Sequence, residues 1–187
     1  ATLLRANGKV AELEAVVAKK ATGDTIGIGH TRWATHGEPS EINAHPHHAG
    51  DIYLVHNGII ENYKELKVQL KDHEFVSKTD SEVLAALIDS LYDDSTTLES
   101  AVGQALKLVE GTYGIAVVSM REPDTVVVAR KGSPLIIGIG EGETIIASDA
   151  SALVGHTEKA IYLNDGELAV CTADNVDVKD QASKKLS

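Results

Sequence analysis

Between His30 and Gly58 the chain concentrates side chains that can hold a small polar molecule: His30-Thr31-Arg32-Trp33-Ala34-Thr35-His36-Gly37, then Asn43-Ala44-His45-Pro46-His47, then His56-Asn57-Gly58. A free amino acid with an amide side chain asks three things of a protein. It needs a cation for its carboxylate, an anion for its ammonium, and hydrogen-bond donors for the oxygen that turns negative when the amide is attacked. Groups of all three kinds are visible in Arg32, Asp80 and the Asn57-Gly58 pair. A planar guanidinium grips a carboxylate through two parallel charge-assisted hydrogen bonds, a geometry lysine cannot reproduce. On spacing alone a solvated surface arginine competes with that reading, and the neighbouring Trp33 and His36 favour a packed site. Asp80 stands at a helix start, where its simplest role is capping or a favourable place in the helix dipole. Asn57-Gly58, taken as a dipeptide, is an ordinary turn.

Other chemistries fit less well. His36, His45, His47 and His48 suggest a transition metal, yet no cysteine or carboxylate completes a recognisable ligand spacing, so no metal is expected. Cys171 is the only thiol. It alternates with apolar residues in ELAVCT and reads as a small structural side chain on a strand rather than a nucleophile. Gly138-Ile139-Gly140-Glu141-Gly142 lacks the Lys-Ser/Thr ending of a phosphate loop and reads as a hairpin turn.

The elements that must position these residues follow from periodicity. Residues 9–20 put Val10, Leu13, Val16 and Val17 on one stripe of a short amphipathic helix. Thr25 to His30 (TIGIGH) reads as a strand that enters a polar loop from Thr31 to Gly50, and a loop of that length inside a compact domain usually has a function. Asp51 to His56 reads as a buried strand stopped by Asn57-Gly58, with Asn62 capping a helix through about Asp72. Thr79-Asp80-Ser81-Glu82 matches a capping box ahead of VLAALIDSLY, and Thr96 to Glu99 repeats the signal before a helix near Leu98 to Val109. From Thr112 the texture changes to β-branched runs (YGIAVVSM, TVVVAR, PLIIGIG, ETIIAS, AIYLN, ELAVCT) with short connections that favour antiparallel pairing. Helices between strands indicate a layered α+β domain. Asp174 to Ser187 is polar enough to fray and could begin a linker.

A chain of 187 residues with 43% hydrophobic composition is read as one domain. Seventeen basic against twenty-eight acidic residues give a formal charge of −11, which repels nucleic acid and anionic membrane surfaces. A single cysteine fits a reducing compartment, and neither a signal peptide nor a membrane span is recognisable, so a soluble cytoplasmic protein is expected.

HTRWATHGEPSEINAHPH, His56-Asn57-Gly58 and Ser77-Lys78-Thr79-Asp80-Ser81-Glu82 together resemble the glutaminase half of the glutamine:fructose-6-phosphate aminotransferases (isomerizing), from about Leu4 to the C-terminus. These are class II glutamine amidotransferases with the N-terminal-nucleophile hydrolase fold. The resemblance implies an αββα sandwich with mainly antiparallel sheets and a glutamine amidotransferase type 2 domain over residues 1–187. It implies Asn57 and Gly58 as the oxyanion hole, and Arg32, Trp33, Thr35, His36, Gly58 and Asp80 as substrate-binding residues, with Asp80 receiving the α-ammonium and His45 shaping the surrounding loop. The family nucleophile is a cysteine at the first position of the mature chain, whose own α-amine, of pKa about 7.7 to 8.0, serves as base. That cysteine, its first strands and the sugar isomerase domain are expected to be absent from this sequence, which leaves the fragment a poor glutaminase by itself. The expected ligands are L-glutamine and L-glutamate, without a cofactor, and the full-length protein is expected to be a homo-oligomer. A catalytically silent amino-acid-binding or regulatory module is the alternative.

Overall fold

The computed structural model describes residues 1–20, 23–32 and 38–180. A six-stranded sheet in the order β1-β2-β3-β4-β8-β9 forms the centre, and a three-stranded sheet, β6-β5-β7, packs on it. All strand pairs are antiparallel. The large sheet comprises β1 (His47–Ala49), β2 (Ile52–Ile60), β3 (Gly111–Ser119), β4 (Val126–Lys131), β8 (Glu167–Cys171) and β9 (Val176–Asp180). The small sheet comprises β5 (Ile136–Ile139), β6 (Thr144–Ala147) and β7 (Lys159–Tyr162). Helices α1 (Val10–Lys20), α2 (Tyr63–Gln69), α3 (Asp80–Ser90) and α4 (Leu98–Leu106) complete the elements that position the site.

The strand runs are apolar on both faces because both faces of the large sheet are covered. Ile52, Leu54, Tyr113, Ile115, Val117, Val127, Ala129 and Leu168 join residues of α2, α3 and α4 in one core. Ala116, Val126, Val128, Ala169 and Cys171 join Leu135, Ile137 and Leu163 in a second core against the small sheet. The helix starts expected at the two Thr signals form. Thr79 caps α3 by accepting Glu82 N–H, and Thr97, one residue after the expected Thr96, caps α4 by accepting Ser100 N–H. Asn62 precedes α2 but makes no side-chain cap. Its amide instead donates to Leu108 O at 2.9 Å and accepts Glu110 N–H at 3.0 Å. The hairpin at Gly138 to Gly142 forms, with Gly140 N–H donating to Glu143 O at 2.9 Å.

Several expectations are corrected. Asn57-Gly58 is not a turn: β2 runs through it to Ile60, because β3 lies alongside and pairs Asn57 with Gly114 and Gly58 with Tyr113. The strand tolerates this path only because residue 58 is glycine. Its φ is +134, and a Cβ there would lie 2.2 Å from Thr112 O. Thr25 to His30 forms no strand. The alternation survives, with Ile26 and Ile28 against the second core, but among the described residues the segment pairs with no strand. The long polar loop contains β1, an edge strand on β2. No residue of α1 is buried, so its apolar stripe is not packed into either core. The polar tail contributes β9, paired with β8, while residues 181–187 lie outside the described part.

Candidate active site

Period-two alternation decides which side of β2 each functional side chain occupies. Ile52 and Leu54 face the helices, and Val55 packs in the second core. His56 therefore points to the helices, where Nδ1 lies 2.9 Å from Ser81 Oγ on α3. Asn57 faces the opposite way, into a cavity of about 1780 Å³ that His30, Arg32, His45, Gly114 and Ala116 also line. That volume exceeds the roughly 300–1,000 Å³ of an ordinary small-molecule site.

The loop that carries the cationic group is anchored by a residue to which sequence reasoning had given no role. Asn43 is 2% exposed; its Nδ2 donates to Glu38 O at 3.0 Å and its Oδ1 accepts Lys78 N–H at 2.9 Å. Arg32 Nη1 donates to the same Glu38 carbonyl at 3.1 Å. Asn43 thus ties the Arg32 anchor to the residues leading into α3. The only advance signal was an asparagine inside a structured loop, where its amide can replace missing backbone partners.

Beneath the loop lies a polar network at the start of α3. Thr79 Oγ1 is 3.1 Å from His47 Nε2 and 2.9 Å from Ser77 Oγ. Glu82 accepts Val76 N–H at 2.9 Å and Ser77 N–H at 2.6 Å, so the capping-box carboxylate reaches the residues three and two positions upstream of Thr79, its expected partner. Burial alone would raise the Glu82 pKa, but the hydrogen bonds from Ser77 and Val76 outweigh it and hold the carboxyl below its ordinary range.

Three histidines stack between this network and the cavity. The His30 and His45 rings have centroids 4.1 Å apart, and His45 meets His47 edge-on at 4.8 Å. Burial drives the His47 pKa down to about 4, with the Arg5 charge adding to the effect and Glu82 opposing it. Burial and the neighbouring His30 push His45 far below its ordinary value. His30 is lowered by burial, against the hydrogen bonds to Asn57 and to the His56 backbone, with Arg32 adding to the fall. All three rings are neutral at physiological pH. His30 Nε2 lies 2.7 Å from Asn57 Oδ1.

Arg32, His45 and Asn57 therefore meet at one cavity, joined by His30, which sequence reasoning had not assigned. Gly58 and Asp80 do not line it. Asp80 is 2% exposed, and its carboxylate accepts Ile60 N–H at 2.8 Å on the helix side of β2. Trp33, Thr35 and His36 lie outside the described residues. Cys171 is buried, and burial raises its thiol pKa to about 12. Among the described residues no group of three or more His, Cys, Asp or Glu side chains is arranged to hold a metal, and no helix is long and apolar enough to cross a membrane.

Residues 16–184 match the family described as the glutamine amidotransferase domain. The glutamine-fructose-6-phosphate aminotransferase (isomerizing) of Chlorobaculum tepidum is 57% identical over 186 residues, covering 95% of this chain and 30% of that protein. The protein of the same name from Methanothermobacter thermautotrophicus is 49% identical over 172 residues, covering 90% of this chain and 29% of that protein. The chain therefore spans about 30% of the length of these curated relatives. Among solved structures, the glutamine phosphoribosylpyrophosphate amidotransferase from B. subtilis, complexed with ADP and GMP, superposes with a TM-score of 0.67 at 25% identity, covering 83% of this chain and 35% of that one. A structure described as the allosteric regulatory enzyme of purine biosynthesis gives 0.66 at 26% identity, with the same coverage. The α+β architecture, with antiparallel sheets and helices, is that of these amidotransferases.

Proposed function

Because this chain belongs to the family of glutamine amidotransferase domains, we propose that it is the glutaminase domain, residues 1–187, of a cytoplasmic aminotransferase that makes glucosamine 6-phosphate from fructose 6-phosphate. In this reading the domain hydrolyses glutamine to glutamate and ammonia. The ammonia passes to a sugar isomerase domain of the same, homo-oligomeric, protein. The observation that carries the proposal is that the Arg32 guanidinium and the Asn57 carboxamide line one cavity.

Arg32 would hold the substrate α-carboxylate, with its guanidinium oriented through the Glu38 carbonyl. Asp80 would take the α-ammonium. Its carboxylate is already fixed by Ile60 N–H on the helix side of β2; this assignment rests on the family resemblance and not on the cavity, which Asp80 does not line. Asn57 and Gly58 would donate to the oxyanion formed when a thiolate attacks the side-chain amide carbon. Collapse of that intermediate expels ammonia and leaves a thioester, which water hydrolyses to glutamate. Trp33, Thr35 and His36 would complete the glutamine pocket, and His45 would support its loop.

Cys171 is not the attacking thiol. With a pKa of about 12, only about one part in 10⁵ is thiolate at pH 7. The nucleophile would come from outside these 187 residues, in which Cys171 is the only cysteine. That same fact favours a second reading for the chain taken alone, an amino-acid-binding module that is catalytically silent. Calorimetry with glutamine and glutamate would then show binding with no ammonia released.

Glutamine hydrolysis by the full-length protein tests the proposal. Arg32→Lys is expected to raise KM for glutamine with kcat largely retained, and Asn57→Ala to lower kcat by about 10²–10³-fold. Normal turnover by Arg32→Ala would refute the carboxylate assignment.

A further inference from the structure

The geometry points to His30 as a positioning residue that sets the orientation of the Asn57 carboxamide, so that its NH₂ rather than its carbonyl faces the reacting amide. The inference rests on the oxyanion role proposed for Asn57. A carboxamide is nearly symmetric in shape but not in charge. Turned one way it gives a developing oxyanion a donor; turned the other it presents a second negative oxygen. Strand β2 puts the Asn57 side chain on the cavity face but leaves this last rotation free.

One described side chain removes that freedom. His30 Nε2 is 2.7 Å from Asn57 Oδ1. A carbonyl oxygen can only accept, so Nε2 carries the proton and Nδ1 the lone pair. The other tautomer would put the proton on Nδ1, which is buried and makes no hydrogen bond of good geometry among the described residues, the His56 backbone being the one further polar group that acts on the ring there. It would also force Asn57 to turn its NH₂ toward His30. That arrangement orphans a buried N–H donor, which is rarer and costlier than an unused acceptor lone pair. His45, whose ring centroid is 4.1 Å away, covers one side of the imidazole. No hydrogen bond joins the two rings, so the stack holds His30 without competing for its proton. Desolvation also keeps the ring neutral, which preserves a single donor pattern across the working pH range.

Placing His30 this way explains why a histidine lies at the end of Thr25 to His30, a segment that pairs with no strand among the described residues. The segment is held by Ile26 and Ile28 in the second core, and it delivers one rigid donor across the cavity to β2. A solvated histidine would not need that fixed approach.

The test is a double-mutant cycle in the full-length protein, read as glutamine hydrolysis. His30→Leu keeps the bulk and removes the donor. It is expected to lower kcat on the order of 10–100-fold, with KM little changed, because only the transition state feels the orientation of Asn57. In an Asn57→Ala background the same change is expected to cost less than about twofold, since no carboxamide remains to be oriented. His30→Gln, which returns an N–H near the same place, is expected to recover most of the lost kcat. A purely structural role would instead give equal losses in both backgrounds and no recovery by glutamine. Either of those results would overturn the inference. If the leucine variant does not fold, the glutamine variant decides alone, and a loss as large as that of Asn57→Ala refutes the positioning role. Normal turnover by Asn57→Ala would sink both this inference and the proposed oxyanion site, whereas a slow Asn57→Ala beside a normal His30→Leu would sink the inference only.

Discussion

The buried His47 makes the fold acid-sensitive in a window well above that of the carboxylates. An unfolded histidine accepts a proton near pH 6.5, whereas His47 in the fold refuses it until about pH 4, chiefly because burial strips water from the ring and secondarily because of Arg5. A group whose folded pKa lies below its unfolded value contributes stability that is complete above the unfolded pKa and is lost as pH falls toward the folded one. The fall from 6.5 to about 4, at about 1.4 kcal/mol per pH unit, corresponds to about 3 kcal/mol. His47 is 2% exposed, so solvent screening does little to reduce that figure, and domains have only about 5–15 kcal/mol to lose. His30 and His45 are lowered in the same direction and steepen the loss. Urea unfolding of the 187-residue chain followed by circular dichroism at several pH values between 7 and 4 measures the slope. His47→Gln keeps a polar group toward Thr79 Oγ1, whose distance to Nε2 is 3.1 Å, but cannot titrate. Its stability is expected to fall with a slope about 1.4 kcal/mol per pH unit shallower than that of the wild type between pH 6 and 4.5. Equal slopes for the two proteins would refute the reasoning, as would ring proton resonances of His47 that titrate near pH 6.5.

Three further outcomes follow from packing and burial. Gly58→Ala forces a Cβ to within 2.2 Å of Thr112 O at a φ of +134; it should cost at least about 2 kcal/mol and lower Tm by about 5 °C or more, and an unchanged melting curve would contradict the assigned path of β2. Asn43→Leu leaves Lys78 N–H without its partner and Glu38 O with only the Arg32 donor; it should cost about 1–3 kcal/mol and raise KM for glutamine in the full-length protein more than it lowers kcat, because Arg32 shares the Glu38 anchor. Cys171, with a thiol pKa of about 12, should resist iodoacetamide in the native chain at pH 7.5 and react once urea unfolds it; native labelling faster than unfolding would show that the strand does not protect it.

Where local chemistry and tertiary packing agreed, the structure was legible in advance. Thr79 starts α3 as its hydroxyl predicts, and ELAVCT forms β8 with Cys171 turned into the second core. The β-branched runs after Thr112 form antiparallel strands, since each is short, apolar and closed by a tight connection. Legibility failed where a neighbour overrode a local preference. Asn57-Gly58 has strong turn chemistry, but an adjacent β3 offers backbone partners out to Ile60, and those outweigh the turn. Thr25 to His30 has the alternation of a strand, but alternation describes side chains and cannot supply a hydrogen-bonding neighbour. Asn43 lay inside the HTRWATHGEPSEINAHPH stretch but nothing in that stretch assigned it a role, because its importance comes from two contacts, 5 and 35 residues away along the chain.

The unexpected length of β2 also accounts for the division of the candidate site residues. If β2 ended at Asn57, the side chains after His56 would leave the sheet and their directions would be set by the loop. Because pairing continues to Ile60 opposite Gly111, the pleat sends His56 to Ser81 on the helix side and Asn57 to the cavity side. The same continuation brings Ile60 N–H to the Asp80 carboxylate at 2.8 Å, which is why Asp80 is buried behind the strand while Arg32 stands before it. A slip of one residue in the pairing of β2 with β3 would exchange the two faces. It would turn Asn57 toward α3 and His56 toward Arg32, separating the carboxamide from the His30 donor. The glycines at 58 and 111 guard against this slip: each adopts a positive φ and sits where a Cβ would strike the opposite backbone, 2.2 Å from Thr112 O and 2.1 Å from Ile59 O, so only the observed register brings two residues without side chains against those carbonyls.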